Sequence, residues 1–185
     1  MKKLFQVNTR TIVATGLGAA LFAVLFMYVK IPTGIPETQI QSAYGIGAFF
    51  AALFGPIAGA AIAIIGHAIS DATQYGSVWW SWVVASGVAG FIMGLVFPKL
   101  HVEDGVLTGK DILLYNVFQV VANVVAWIVV APVLDIVVYA EDPTLVFTQG
   151  AVAALTNAIS AGVIGTLLLV LYSKTRAQKG SLTKE

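Results

Sequence analysis

His67 and Asp71 are the residues of this sequence whose types and spacing are best suited to chemistry. They stand four positions apart in an apolar stretch, so a helix would bring the imidazole and the carboxylate to one face, within hydrogen-bonding reach. Ionisable groups beside a hydrophobic segment are costly, and such a pair is by default a candidate functional site. The structural alternative is a pair that pins the helix end to the next loop. Two ligands fall short of the three or four of a metal site, so we expect no metal and no other cofactor.

Aromatic and amide side chains follow this pair directly. Gln74 and Tyr75 come first, and Trp79, Trp80 and Trp82 are three of the four tryptophans in the chain. Tryptophans also gather at membrane interfaces, and three within four positions cannot share one helix face. We expect Trp79 or Trp80 to face inward, as a stacking wall for a flat or cationic ligand.

Further polar residues stand on later apolar segments and on one loop. Asn116, Gln119, Asn123 and Trp127 form a single stripe on a helix, because their steps are three, four and four residues. Amides in lipid must face protein or a cavity. Hydrogen bonding between helices explains Asn116 at least as well as ligand contact. The other candidate ligand contacts are Asn123, Trp127, Asn157, Glu37, Thr38 and Gln39.

The composition predicts an integral membrane protein. The 185 residues are 58% hydrophobic and 10% charged, whereas soluble domains carry about 25% charged residues. The absence of cysteine excludes disulfides, thiolate metal sites and cysteine nucleophiles. The stretch Gly105–Asp111 differs from a phosphate-binding loop in its glycine spacing and lacks the Ser or Thr that would bind magnesium. We therefore expect a transport protein rather than an enzyme, and no nucleic-acid partner.

Apolar runs predict an all-α membrane domain that covers residues 1–185, with six transmembrane helices in a compact bundle. The first run is longer than a signal-peptide core and is interpreted as a retained helix. The alternative to two helices around Gly55 and Pro56 is one long kinked helix. The proline-rich stretch from Lys30 to Gln41 is interpreted as an ordered loop, with a plain connector as the alternative. The predicted spans are residues 11–29, 42–54, 56–70, 80–97, 111–131 and 149–172.

The distribution of lysine and arginine predicts the orientation. With six spans, nine of the ten basic residues fall on the side of the two termini and of the loop 99–110. The positive-inside rule then places both termini in the cytoplasm. His67, Asp71, the three clustered tryptophans and the loops 30–41 and 132–148 consequently share the outer face.

Small residues line the first span at four-residue spacing. Such a row lets another helix approach closely in lipid, and packing within the same subunit is an equally good explanation. The residues of the two adjacent rows are Thr15, Ala19 and Ala23, and Gly16 and Ala20.

Several short motifs are spread over nearly the whole chain. They are Ile31–Pro36 (IPTGIP), Phe49–Phe50, Phe54–Pro56 (FGP), Gly66–Ala68 (GHA) with Asp71, Tyr75–Gly76 and Trp79–Trp82 (WWSW). Together with the small-residue first helix of a small hydrophobic six-helix chain, they resemble the substrate-binding S components of energy-coupling factor (ECF) vitamin transporters. The narrower resemblance is to an uncharacterised-type subfamily similar to the components for hydroxymethylpyrimidine, the thiamine precursor.

This resemblance implies a division of labour between subunits. Such a component binds a vitamin or precursor from outside, in a cavity under the loop between its first two helices. It associates with a transmembrane scaffold (T) subunit and two cytoplasmic ATPases, and their ATP hydrolysis is thought to topple it so that the site opens inward. The small-residue rows of the first helix resemble the surface that docks the scaffold.

The ligand and two other functional classes stay open at this point. Amides, a histidine, an acid and indoles would suit the flat aminopyrimidine of hydroxymethylpyrimidine, and the same residue types could serve another vitamin, cobalamin included. A second class is a self-sufficient secondary permease coupled to protons through His67 and Asp71. A third is a membrane scaffold protein without a ligand.

Overall fold

The computed structural model describes Leu4, Phe5 and residues 7–176 of the chain, and in these residues the fold is mainly helical. Five helical segments are long and apolar enough to cross a membrane, and α2 is a shorter apolar helix. The prediction of a mostly helical membrane protein is therefore confirmed. The predictions on Lys2, Lys3, Lys179 and Lys184 fall outside the described residues. The helices are α1 (Thr9–Tyr28), α2 (Ala43–Phe54), α3 (Pro56–Tyr75), α4 (Trp80–Gly94), α5 (Gly109–Tyr139) and α6 (Pro143–Lys174).

Capping residues and a Gly-Pro break explain where several helices begin and end. The side chain of Asn8 caps α1 by accepting the backbone N–H of Thr11 at 2.9 Å. Thr108 and Asp111 form a reciprocal capping box at the start of α5. Between α2 and α3, Gly55 adopts φ +90°, and Pro56 occupies the first position of α3, where its missing N–H costs no hydrogen bond.

Three predicted boundaries are corrected by the structure. Helix α3 continues past residue 70 to Tyr75, and Gly76 ends it with φ +72°. Helix α5 passes through Pro132 to Tyr139, because it widens into π-helical turns at Val125–Val130 and Asp135–Tyr139 on either side of the proline. Helix α6 then begins at Pro143, so the predicted outer loop 132–148 shrinks to residues 140–142.

The proline-rich stretch between α1 and α2 is a β-hairpin rather than an irregular loop. Strands β1 (Lys30–Pro32) and β2 (Gln39–Gln41) pair antiparallel, with Ile31 opposite Ile40. The Thr33 hydroxyl donates to the carbonyl of Thr38 at 2.7 Å, and the Thr38 hydroxyl donates to the carbonyl of Pro36 at 3.0 Å. These side-chain bonds hold the turn in one shape. The end of the bundle that carries this turn is called the hairpin end below.

Small residues allow the helices to pack closely. A Cβ atom on Gly59 of α3 would lie 2.3 Å from the carbonyl oxygen of Gly90 in α4, so the two backbones touch. A Cβ atom on Gly66 would similarly lie 3.0 Å from the carbonyl of Ala19 in α1. In lipid the hydrophobic effect does not drive helices together, because the helices are already surrounded by apolar chains. Van der Waals contact of this kind is therefore a main source of helix association.

The small-residue rows of α1 point in two directions, which corrects the predicted docking surface. Ala19 and Ala23 are each only 3% exposed, because they face the interior of the bundle. Gly16 and Ala20 are exposed on the outer surface of the helix, and Thr15 is half-buried. A Cβ atom on Gly16 would meet nothing within 4 Å. Only the row of Gly16 and Ala20 is therefore free to meet a partner.

Candidate functional site

A cavity of about 470 Å³ lies at the hairpin end of the bundle, beneath the turn of the β-hairpin. Helices α3, α4, α5 and α6 and the hairpin all contribute to its walls. This volume falls within the range of small-molecule sites, about 300–1,000 Å³. Nine of the residues predicted to bind a ligand line it, namely Glu37, Thr38, Gln39, His67, Asp71, Tyr75, Trp79, Trp127 and Asn157.

Three predicted ligand residues are not among the lining residues. Gln74 accepts a hydrogen bond from the ammonium of Lys30 at 2.5 Å. Trp80 is 54% exposed, and its backbone N–H donates to the hydroxyl of Tyr139. Asn123 is fully buried behind Trp127, whose indole N–H it accepts at 2.9 Å. Asn123 stands in the predicted stripe, but the indole of Trp127 lies between it and the cavity.

Asp135 is the main lining residue that the sequence did not predict. It is 1% exposed, and its carboxylate accepts the indole N–H of Trp79 at 2.7 Å and that of Trp82 at 2.6 Å. The hydroxyl of Ser81 donates to the same carboxylate. A buried carboxylate is stable when several donors satisfy it, as here. The WWSW motif contains the signal, because its polar atoms require acceptors, whereas the predicted outer loop 132–148 contains Asp135.

Stacked and edge-on rings form one wall of the cavity. The rings of Trp82 and Trp127 stack with centroids 5.6 Å apart and planes 20° apart. Tyr44 meets Trp127 edge-on at 5.2 Å, and Phe26 lies 4.4 Å from the imidazole of His67. Because the indole N–H groups of Trp82 and Trp127 are both bonded to protein, these residues offer a ligand their ring faces.

His67 and Asp71 are joined in a buried hydrogen-bond network. Nδ1 of His67 lies 2.7 Å from the hydroxyl of Ser86, which is also hydrogen-bonded to the hydroxyl of Tyr44 at 2.9 Å. Nε2 of His67 lies 3.4 Å from Oδ1 of Asp71, and Oδ2 of Asp71 accepts the backbone N–H of Trp79 at 3.1 Å. The network ties α2, α3 and α4 together at the floor of the cavity.

Two buried amide oxygens in the lining have no hydrogen-bond partner. Oε1 of Gln41 and Oδ1 of Asn157 belong to side chains that are 4% and 3% exposed. A buried acceptor without a donor costs about 1–3 kcal/mol. A ligand that supplies an N–H or O–H group to each would recover that cost.

The charged side chains of the lining are all acidic. They are Glu37, Asp71, Asp135 and Glu141, whereas the lining contains no lysine or arginine. An anionic ligand would meet repulsion here, and a neutral or cationic ligand rich in donors would not. In the described part of the chain, no three His, Asp or Glu side chains come together in a way that could hold a metal ion.

A side chain of α6 connects the hairpin to the opposite wall of the cavity. The amide of Gln149 on α6 donates to the carbonyl of Pro36 at 2.9 Å. The next residue, Glu37, lines the cavity with φ +53°, a left-handed conformation that is uncommon for a residue other than glycine. The turn thus contains a strained residue and is joined to α6 by this long-range hydrogen bond.

Comparison with known proteins agrees with this architecture. The sequence model of the family described as ECF-type riboflavin transporter, S component, matches residues 6–174. A UPF0397 protein of Exiguobacterium sp. (strain ATCC BAA-1283 / AT1b) is 55% identical over 178 residues, which cover 96% of this chain and 97% of that protein. A UPF0397 protein of Staphylococcus aureus (strain JH9) is 45% identical over 100% of both chains. A UPF0397 protein of Enterococcus faecalis (strain ATCC 700802 / V583) is 44% identical over 97% of this chain and 98% of that protein.

These matches extend over nearly the whole length of the chain, so they apply to the bundle and the cavity together. The chain belongs to the family of ECF-type riboflavin transporter S components, and it is therefore a bacterial membrane-embedded substrate-binding subunit that works with T and ATPase subunits and is not itself an enzyme.

Proposed function

We propose that this chain captures a flat, neutral or cationic heteroaromatic vitamin or vitamin precursor from outside the cell. The observation that carries the proposal is the pairing of a stacked indole wall with buried, unpartnered acceptors in one acidic cavity. A planar ring system would stack on the face of Trp82 or Trp127, and its N–H or O–H groups would meet Gln41 and Asn157.

The proposed topology is six membrane spans with both termini in the cytoplasm of a bacterium. Helix α2 would then be a short sixth span beside the five longer ones. Five of the six described basic residues support this orientation, since they stand at the ends of helices remote from the hairpin. These five are Arg10, Lys99, Lys110, Lys174 and Arg176. The cavity would consequently open to the outside.

Hydroxymethylpyrimidine is the first candidate for the ligand. Its exocyclic amine and hydroxyl are donors, and its ring is flat and uncharged, which suits the acceptors and the acidic lining. Riboflavin is the second candidate, and the description of the matching family model favours it. Cobalamin, with its corrin macrocycle, fits a cavity of about 470 Å³ poorly.

The proposed partners are a T subunit that docks on the chain and two ATPase subunits that supply energy. We propose that a T subunit docks on the exposed row of Gly16 and Ala20 in α1, where a second helix could approach closely. Two cytoplasmic ATPase subunits would supply the energy for release. A proton-coupled permease that uses His67 and Asp71 would instead transport substrate alone.

Native mass spectrometry of the purified chain is the test of ligand identity. We expect one small molecule per chain to be retained from cells, and hydroxymethylpyrimidine, riboflavin and cobalamin to be compared in titrations of ligand-free protein. The chain alone in vesicles should bind without uptake. Uptake driven by a proton gradient would establish the permease, and a chain that assembles with T and ATPase subunits but binds none of the three would contradict the proposal.

A further inference from the structure

A continuous chain of side-chain hydrogen bonds runs along α5, away from the cavity. The indole N–H of Trp127 donates to Oδ1 of Asn123 at 2.9 Å, and Nδ2 of Asn123 donates to Oε1 of Gln119 at 3.2 Å. Nε2 of Gln119 donates to Oδ1 of Asn116 at 3.3 Å, and Nδ2 of Asn116 donates to the hydroxyl oxygen of Thr166 on α6 at 3.0 Å. We call Asn123, Gln119, Asn116 and Thr166 the amide ladder.

All four bonds point in the same direction. In each amide the oxygen faces the cavity and the nitrogen faces the opposite end of the bundle, so the dipoles add. Hydrogen bonds aligned in this way polarise and strengthen one another in a medium of low dielectric constant. The bond that benefits is the one at the cavity, from Trp127 to Asn123.

The ladder is enclosed by protein on the side of α6. Asn123 is fully buried and Gln119 is 3% exposed. Gly162 brings α6 so close that a Cβ atom there would lie 3.1 Å from Oδ1 of Asn116 and 3.2 Å from Nε2 of Gln119. The amide nitrogens of Asn123 and Asn116 also donate to the backbone carbonyls of Gln119 and Ile112, at 2.8 and 2.9 Å. These bonds hold both nitrogens toward the far end of the bundle, so the orientation of one amide constrains the next.

We propose that Asn123, Gln119 and Asn116 are positioning residues for the ligand wall, an inference that rests on the proposed function. They turn the N–H of Trp127 away from the cavity and fix its ring parallel to Trp82, so that it meets the ligand only as a stacking face. Thr166, which does not line the cavity, anchors the ladder to α6. Ligand affinity thus depends on a hydroxyl remote from the ligand.

The experiment compares Thr166→Val with Thr166→Ser, because only the serine keeps the hydroxyl. Thr156→Val is the matched control, since the Thr156 hydroxyl bonds only to backbone carbonyls of its own helix. The first readout is the ¹⁵N–¹H resonance of the Trp127 indole in ligand-free protein, assigned with Trp127→Phe. The second is the dissociation constant for hydroxymethylpyrimidine and for riboflavin.

We expect Thr166→Val to move the Trp127 indole resonance upfield and to weaken binding about threefold, a loss that corresponds to part of one hydrogen bond. Thr166→Ser and Thr156→Val should do neither. An unmoved resonance in Thr166→Val, or a moved resonance with unchanged affinity, would overturn the positioning role. If neither probe binds the wild type, the proposed substrates are wrong, and the resonance alone still decides whether the ladder orients Trp127.

Discussion

The indole N–H of Trp82 donates to Oδ2 of Asp135 across 2.6 Å, although 53 positions separate the two residues in the chain. This bond joins the start of α4 to the far end of α5, and Trp79 and Ser81 donate to the same carboxylate. Asp135 therefore accepts the side-chain donors of three of the four residues of the WWSW motif. The ring faces, rather than the N–H groups, remain for a ligand.

Removal of the Asp135 carboxylate is expected to lower both stability and affinity. In Asp135→Leu the three donors lose their acceptor, and a buried unpaired donor costs about 1–3 kcal/mol. We expect the thermal midpoint in detergent to fall and ligand affinity to drop at least about tenfold, since Trp82 would no longer be held. Asp135→Asn, which keeps one oxygen acceptor, should lie between wild type and Asp135→Leu.

Asp142→Asn is the matched control for these variants. Asp142 lies at the same end of the bundle and caps α6, and asparagine is an equally good cap. Asp142→Asn should therefore change neither the thermal midpoint nor the ligand affinity. If Asp135→Leu bound ligand with wild-type affinity, the indole wall would not depend on the carboxylate.

The hydrogen bond between Gln149 and the hairpin is expected to control how long a ligand stays. Gln149→Leu removes the donor that reaches the carbonyl of Pro36, so the turn should open more often. We predict a dissociation rate about five times faster, with a smaller change in the association rate, by stopped-flow tryptophan fluorescence. Thr148→Val, the neighbouring exposed residue whose hydroxyl bonds within α6, should leave the rate unchanged. Equal dissociation rates in both variants would show that the hydrogen bond from Gln149 does not retain the ligand.

The contact between Gly59 and Gly90 is expected to tolerate no side chain. Gly59→Ala would place a methyl group 2.3 Å from the Gly90 carbonyl oxygen, and overpacking of this kind costs about 1–3 kcal/mol. The thermal midpoint should fall clearly in Gly59→Ala. Gly16→Ala, the same change at an exposed position with nothing within 4 Å, should have no effect or a slight stabilising one. Equal midpoints would contradict the close approach of α3 and α4.

The exposed row of α1 gives a prediction about assembly. Gly16→Leu adds bulk where the isolated chain has open space, so folding and ligand binding should be preserved. Co-purification with the T and ATPase subunits should fall sharply if a helix docks there. Ala19→Leu is uninformative as a docking variant, because Ala19 is buried within the bundle. Full assembly of Gly16→Leu would move the docking surface elsewhere.

Local chemistry explains what the sequence could predict. The break at Gly55 and Pro56, the capped starts of helices and the concentration of lining residues between His67 and Trp82 all follow from rules that act over a few residues. The cavity also contains predicted residues from distant segments, such as Glu37 and Asn157. Their convergence followed from the predicted order of the spans rather than from contacts.

Longer-range geometry explains what the sequence could not predict. Pro132 ordinarily ends a helix, but α5 continues past it, with π-helical turns on either side, and carries Asp135 to the tryptophans. Asn123 stands in the predicted stripe, but its side-chain oxygen accepts the indole N–H of Trp127. The two faces of α1 could not be told apart, because small residues occupy both.

Cysteine labelling is the most direct test of the central claim that the cavity is an outward-facing capture site. The chain contains no cysteine, so single cysteines can be placed freely. Ser77→Cys puts one in the cavity lining, Thr144→Cys puts one at the same end outside the cavity, and Thr175→Cys puts one beyond the far end of α6. Each is treated with a membrane-impermeant maleimide in intact cells, with and without added hydroxymethylpyrimidine or riboflavin.

The account predicts that Ser77→Cys and Thr144→Cys are labelled in intact cells, that Thr175→Cys is labelled only after permeabilisation, and that added ligand protects Ser77→Cys alone. Labelling of Thr175→Cys but not Ser77→Cys in intact cells would invert the topology. A ligand that binds the chain yet leaves Ser77→Cys fully reactive would contradict the cavity as its site.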